Sequence, residues 1–348
     1  MAAIWVPGEE LARFIVELFH ALGMELADAA TAADVLVWAN LRGVDTHGAM
    51  RLPGYVDMIR KGTIDPKACP ALRPLLDAIF MVEGRRCAGP VAMRLALDRA
   101  AAIAARAGVG LGLVSDTTHT GAIGYYAQKL ARQGYAAIVI AAGPPFMAYH
   151  GSRVTSLATS PLAVAVPTRD ADPLLIDMAT SLVSNGRVRA AAAVGERIPE
   201  GAAIDAEGRP TTEAARAATL LPLGGAKGSG LSLAFECLTG VLAATPILTA
   251  LAGLTGRPAA MQNVLVIAIK VDAFRPLADY EAEVAALAGW VKTLPRQEGV
   301  DELLLPGERG GREARRRAQE GIPLPRKLVD ELAAIAATFG VSGPAPRS

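Results

Sequence analysis

The sequence predicts an α/β fold, and three observations carry that expectation. After Pro74, short apolar runs of strand length alternate with helical stretches, the pattern of a layered α/β domain. Residues 8–40 are helix-rich, and the chain closes on another amphipathic helical run, Leu328–Phe339. No internal repeat or low-complexity linker interrupts it.

The elements follow from local pattern. Glu9–Leu22 sets Leu11, Phe14, Ile15, Leu18 and Phe19 on one helical face, and Gly23 is placed to end that helix. A second helix spans Ala27–Leu41, with Val35, Leu36 and Trp38 among its apolar positions. A glycine-rich polar segment from Arg42 leads into a short helix ending near Lys61, with Gly62 as its stop. Pro53 fits only in the first turn of that helix. Strands are expected at Ala78–Val82, Val109–Val114, Ala136–Ala142, Leu162–Pro167, Leu174–Met178 and Met261–Val271. Between them, helices are expected at Val91–Ala107 and Ile123–Gln133, closed by Gly108 and Gly134, and then at Leu277–Leu294. Glu308–Gln319 reads as a charged helix whose arginines, Arg312 and Arg315 to Arg317, form a solvated face. Residues 341–348 read as a frayed tail.

One stretch resembles a membrane span. From Gly230 to Gly256 the only charge is Glu236. Glu236, Pro246 and four threonines argue instead for a fully buried helix followed by a second short one.

Composition excludes several function classes. The 348 residues carry 35 Lys plus Arg against 34 Asp plus Glu, a net charge of +1. Nucleic-acid and anionic-membrane surfaces ordinarily need a basic excess. Hydrophobic residues make up 52%, which fits a folded core and not a disordered chain. Cys69, Cys87 and Cys237 are scattered and form no C-x-x-C, so neither a disulfide framework nor a metal site is expected. No basic-then-apolar leader is visible, and a cytoplasmic location is expected.

The common cofactor motifs fail. Gly108-Val-Gly-Leu-Gly places Leu113 where a dinucleotide loop needs its last glycine, and Gly228-Ser-Gly fails at Leu233. No P-loop and no nucleophile elbow occur. Tyr125-x-x-x-Lys129 matches the acid pair of short-chain dehydrogenases but lacks their glycine-rich first loop, so helix packing is the simpler reading.

Three of the four histidines stand in polar, glycine-rich segments suited to acid–base work: His47, His119 and His150. His20 lies on the first helix and reads as a packing or surface residue. Arg51 follows His47 by four residues, so a helical segment points both the same way. A guanidinium fork grips a carboxylate while the imidazole exchanges a proton with the adjacent atom, which suits a 2-hydroxy or 2-oxo acid. The competing reading pairs Arg51 with Asp45 at the surface.

These residues carry a resemblance. Arg42-Gly-Val-Asp-Thr-His-Gly-x-x-Arg-Leu-Pro-x-Tyr resembles the R-G-[IV]-[DH]-S-H-G-x-x-R signature of the malate/L-lactate dehydrogenase family. Five further segments are similar in the same order. They are His119-Thr-Gly-Ala-Ile-Gly-Tyr-Tyr, Asp177-Met-Ala-Thr-Ser, Asp205-Ala-Glu-Gly-Arg-Pro-Thr-Thr, Leu221-Pro-Leu-Gly-Gly-Ala-Lys-Gly-Ser-Gly-Leu and Pro306-Gly-Glu.

The resemblance implies an NAD- or NADP-dependent homodimer with a non-Rossmann cofactor fold. It implies a helical domain from residues 1–75 with 305–340, and a central α/β domain over 76–304. Its substrate would be a small carboxylate, with a cyclic imine carboxylate as the alternative to a 2-hydroxy acid, or a non-catalytic nucleotide-binding member as a third possibility. Carried over, His47 matches a proton donor assisted at Thr46, His119 a proton acceptor and Arg51 the carboxylate-binding arginine. Asp177, Met178, Ala179, Lys227, Gly228, Gly307 and Glu308 fall on cofactor-contacting positions or beside them. The glycines around Lys227 would let backbone amides approach a phosphate. Two segments depart from the family pattern: Gly143-Pro-Pro-Phe lacks a usual polar residue before proline, and Gln262-Asn-Val-Leu lacks a following Gly-His or Gly-Gln.

Overall fold

The computed structural model describes residues 3–169, 172–256 and 259–347. The chain begins with β1 (Ala3–Val6), α1 (Gly8–Ala21), α2 (Leu26–Leu41), α3 (Leu52–Arg60), β2 (Ala71–Leu76) and β3 (Ile79–Glu83). Next come α4 (Gly89–Ala107), β4 (Val109–Thr117), α5 (Gly124–Ala131), β5 (Tyr135–Ala142), β6 (Pro145–Ala148), β7 (Thr155–Ala158), β8 (Leu162–Val166) and β9 (Leu174–Met178). Then follow α6 (Asn185–Val194), β10 (Ala203–Ile204), β11 (Pro210–Thr211), β12 (Thr219–Leu220) and α7 (Ala226–Glu236). The last are α8 (Leu248–Leu251), β13 (Gln262–Lys270), α9 (Leu277–Thr293), α10 (Glu308–Glu320), β14 (Ile322–Pro325) and α11 (Arg326–Ala337). The elements expected from pattern are present within a few residues.

The main sheet has the order β2-β3-β4-β13-β5-β8-β9. Within it β3 and β4 pair in parallel and the other pairs are antiparallel. β13 arrives from far along the chain and inserts between β4 and β5. Its side chains alternate, as strand geometry requires. Val264, Val266 and Ala268 join the large core built with α1, α2, α4 and α5, and Leu265 meets Phe235 and Ala243 on the opposite face.

A second, five-stranded sheet, β11-β10-β12-β6-β7, was not expected. Its strands are two to four residues long, too short to show a period. With α6 it encloses its own core of Met147, Leu157, Val183, Val188, Ile198 and Leu220.

The first and last strands meet. β1 pairs with β14, placing buried Val6 opposite buried Ile322. The expected frayed tail folds back, and Arg347 N–H donates to Trp5 O at 2.7 Å. That hydrogen bond ties the last residues to β1.

The expectation of a fully buried helix after Gly230 is overturned. Phe235 faces the sheet, but Leu231, Leu233, Leu238, Val241 and Leu242 are exposed. Apolar residues surround this helix and its π-helical turn, Cys237–Val241, while the sheet covers only one side. Buried Glu236 braces the next helix. Its Oε1 accepts Ile247 N–H at 2.8 Å and Leu248 N–H at 3.0 Å, holding the start of α8. No helix among the described residues is long and apolar enough to cross a membrane.

Candidate active site

Between α2 and α3 the chain makes two 3₁₀ turns, Asp45–His47 and Ala49–Arg51. A network from two distant elements fixes them. Arg317 of α10 is buried, and it donates to Asp45 Oδ1 and to Asn40 O, each at 2.6 Å. Asn40 Nδ2 donates to Asp45, and its Oδ1 accepts Ala49 N–H at 2.7 Å. Gly48 is required there, because a Cβ would lie 2.1 Å from Asn40 Oδ1. The arginine helix therefore corrects the expectation at one position: Arg312, Arg315 and Arg316 make exposed ion pairs, while Arg317 turns inward. Arg317→Leu leaves Asp45 without its cation, and thermal unfolding should show a loss of about 3 kcal/mol, the lower end for a broken buried pair because Asp45 is partly exposed. An unchanged melting curve would dismiss the network as a support of the His47 turn.

Thr46 Oγ1 lies 3.1 Å from His47 Nδ1, and Thr46 O accepts Arg51 Nε–H at 2.8 Å. The expected alternative pair of Arg51 with Asp45 does not form, since Asp45 is engaged by Arg317 and Asn40. Among the described residues the Arg51 guanidinium makes no ion pair.

His119 follows β4 in a loop and stacks beside His47, with ring centroids 5.7 Å apart. Tyr55 OH is 2.6 Å from His119 Nδ1, and Gly121 N–H also reaches that nitrogen at 3.3 Å. Two donors converging on Nδ1 assign the hydrogen to Nε2 in the neutral ring. The sequence reading missed this role for Tyr55, although the residue closes the first motif. Burial, then Arg51, pushes His47 down to about 4. Burial, Arg51 and His47 together hold His119 well below the usual histidine range. Both rings are thus neutral near pH 7.

Two clefts meet at these residues. One, of about 330 Å³, is lined by Arg42, Thr46, His47, Asp177, Met178, Ala179, Gly307, Arg309 and Gly310 among others. The other, of about 290 Å³, is lined by His47, Arg51, Tyr55, His119, Ser184, Gly186 and Gln262 among others. His47, Gly121, Thr159, Pro161 and Ser184 belong to both walls.

The first cleft fits an anionic dinucleotide. Arg42 is buried without an ion pair among the described residues, 5.1 Å over the Trp38 ring, and donates to Gly307 O at 2.8 Å. Gly307 adopts φ +84° and opens the N-terminus of α10 into the cleft, where helix geometry favours negative charge. Asp177 Oδ2 accepts Gly124 N–H at 3.0 Å. Enclosure by the cleft walls raises its carboxyl to about 6, opposed by that N–H and by Arg42, although solvent still reaches it through the opening.

The remaining sequence candidates lie outside the two clefts. Glu308 turns to Lys292 Nζ at 2.5 Å and to Leu305 N–H at 2.9 Å, while its neighbours Arg309 and Gly310 line the cleft. Gly228 is packed against Thr180 O, behind the segment that bears Ala179, and Lys227 is exposed. His150 is exposed beside Gly225, away from the other two histidines. His20 Nδ1 meets Met24 O at 2.9 Å at the protein surface. Lys129 Nζ does reach Tyr125 OH, at 3.1 Å, but that hydroxyl donates to Asp34, and burial and Asp34 raise its proton affinity. Arg42, Arg309 and Tyr55 were not singled out in advance. Arg42 and Tyr55 do bound the first motif, which was the available signal.

A neutral histidine pair beside an arginine that makes no ion pair among the described residues, next to a cleft that favours negative charge, is an arrangement able to exchange protons with a bound anion. The family model described as malate/L-lactate dehydrogenase matches residues 6–333, and the chain belongs to that family of oxidoreductases. It is 33% identical to the malate dehydrogenase of Pyrococcus horikoshii over 98% of this chain and 97% of that one. It is also 33% identical to the (2R)-3-sulfolactate dehydrogenase (NADP(+)) of Chromohalobacter salexigens, covering 92% of this chain and 95% of that one. The crystal structure of malate dehydrogenase from Entamoeba histolytica superposes with a TM-score of 0.92 at 26% identity, over 98% and 99% of the two chains.

Proposed function

We propose that the protein moves a hydride between C4 of NAD or NADP and C2 of a small 2-hydroxy or 2-oxo acid. The observation that carries this reading is the place of His47 on the wall shared by the two clefts, beside an unpaired arginine. The nicotinamide, when bound, supplies or accepts the hydride. Arg51 grips the carboxylate in the second cleft. In oxidation His47 takes the hydroxyl proton, with its ring held by Thr46. His119, oriented by Tyr55 and Gly121, presents Nε2 to the same substrate oxygen. A bound carboxylate offsets the Arg51 charge, so it raises the proton affinity of both rings and makes the acid form accessible for reduction.

In the proposed two-domain division, 1–75 with 305–340 and 76–304, the first cleft draws residues from both parts. We also propose a homodimer. α9 buries none of its residues, leaving Leu287 and Trp290 outward, and Val241 and Leu242, at and just after the end of the π-helical turn, are exposed. Sedimentation equilibrium should give twice the chain mass, and a monomer at micromolar concentration would remove the proposal.

The reaction is tested by following NADH and NADPH absorbance with pyruvate, oxaloacetate, other 2-oxo acids and cyclic imine carboxylates. Turnover confined to the imines would move the reacting bond from C=O to C=N, and silence across the whole panel would refute both. The pH dependence is a further check. In oxidation the base form of His47 is needed, and its depressed pKa keeps that form populated well below pH 6. With NAD or NADP saturating throughout, so that the Asp177 carboxyl in the cofactor cleft does not limit cofactor binding, oxidative kcat/KM for the 2-hydroxy acid should stay level from pH 8 to about 5 and fall toward about 4. An inflection at the ordinary histidine value of about 6.5 would contradict the buried, Arg51-flanked site.

A further inference from the structure

The second cleft is asymmetric, and its asymmetry bears on substrate choice. One end holds the histidines and Arg51. Pro144, Phe146 and Met261 add an apolar part to the lining. Phe146 owes its position to strand alternation. Its neighbour Met147 points into the small core with Leu157, so Phe146 on β6 faces the opposite way, half exposed to the cleft. Gly143 adds no side chain, and a Cβ there would meet nothing closer than Met261 O at 3.8 Å, which leaves the space in front of Phe146 open. Both segments that depart from the family pattern, Gly143 to Phe146 and Gln262, line this one cleft.

Three polar atoms of the lining are already engaged. Gln262 Oε1 accepts Thr120 N–H at 2.8 Å. Ser160 Oγ lies 3.2 Å from Ser232 Oγ, and Ser184 Oγ accepts Arg187 N–H at 3.2 Å. Arg51 is the only Lys or Arg among the lining residues. Arg189, one turn beyond Asn185 on α6, is exposed and does not line the cavity. The charge of Arg189 is felt at Arg51, but Arg189 does not line the cleft, so a second carboxylate held against Phe146 and Met261 would lose its water without a cation in the lining there, whereas an apolar tail gains by leaving water.

We propose that Pro144, Phe146 and Met261 select 2-oxo or 2-hydroxy monocarboxylates bearing a branched or aromatic apolar side chain over dicarboxylates. This rests on the reaction proposed above and names its substrate class.

The test uses the full-length protein with saturating NADH or NADPH. Pyruvate, 2-oxobutanoate, 2-oxo-4-methylpentanoate, phenylpyruvate and oxaloacetate are compared by kcat/KM. The expected result is a rise of about 10-fold or more per added carbon along the apolar series until the cavity is filled, since one methylene in a fitted pocket is worth at least that factor. Oxaloacetate should fall below 2-oxo-4-methylpentanoate. Phe146→Ala should lower kcat/KM for 2-oxo-4-methylpentanoate about 10-fold more than for pyruvate, and Phe146→Leu should restore most of that difference. Phe146 is half exposed, so neither variant threatens folding. A flat apolar series overturns the selection. So does an oxaloacetate preference, and loss of that preference in Arg189→Leu would assign the second charge to α6. No turnover with any 2-oxo acid defeats the parent reaction and this inference with it. Turnover led by oxaloacetate defeats the inference alone.

Discussion

His47→Asn and His119→Asn each lower turnover by about 10²–10⁴-fold while leaving the dissociation constant for the nicotinamide cofactor within a few-fold of the parent. The magnitude is that of a positioned general acid–base. Asparagine keeps a polar side chain in each loop, so a folding defect is not the expected cause. The two histidines differ in their support. His47 leans on Thr46 at 3.1 Å and lies on the wall shared with the cofactor cleft, whereas Tyr55 and Gly121 fill the inner nitrogen of His119. With a hydrogen on Nε2, His119 is arranged to donate to the substrate oxygen, and His47 is the better placed to exchange the proton. The double variant separates the roles. If the rings act as one unit on one oxygen, removing both costs little more than the worse single change. If each moves its own proton, the losses multiply. Stopped-flow measurement of the hydride step reads this directly, and unchanged turnover in both single variants would end the assignment.

Most of the main sheet was legible in the sequence because its strands are long and apolar. β5 and β13 are eight and nine residues, and each is an almost unbroken apolar run of strand length. The five-stranded sheet was not legible, since its strands are stitched together by residues far apart in the chain, such as Leu220 opposite Met147. The site was legible in its chemistry but not in its supports. His47, His119 and Arg51 stood out because charged or titratable groups sit among glycines there. Arg317, which holds the His47 turn, read as part of a solvated face, and Asn40 carried no reading at all. Tyr55 stood only as the end of the first motif. Tyr55 and Arg317 act through contacts that span 64 and 272 residues, and spacing along one element carries no trace of them. The apolar helix after Gly230 failed for a related reason. Its composition shows that it must be covered, not whether its own chain or another covers it.

Arg51→Leu should reduce kcat/KM by about 30- to 3,000-fold, the range set by about 2–5 kcal/mol for truncating one side of a hydrogen-bonded charge pair at about 1.4 kcal/mol per decade. Arg51→Lys should recover only part of it, because an ammonium cannot offer the planar pair of N–H groups that a carboxylate accepts. A loss of rate alone would not place Arg51 beside the reacting centre, and the pH profile supplies what rate does not. Arg51 is one of the charges that hold both histidines in the neutral form. Removing it lifts a repulsion from each ring, so their proton affinity rises. The acid limb of oxidative kcat/KM should then move upward from about 4 toward the ordinary histidine value. A distant structural arginine behaves differently, since its loss would loosen the site and lower activity at every pH with the limb unmoved. In Arg51→Lys the cation remains, so the limb should stay near its parent position even though the carboxylate grip is impaired. The two variants therefore divide the work of this side chain: leucine removes both the fork and the field, and lysine removes the fork alone.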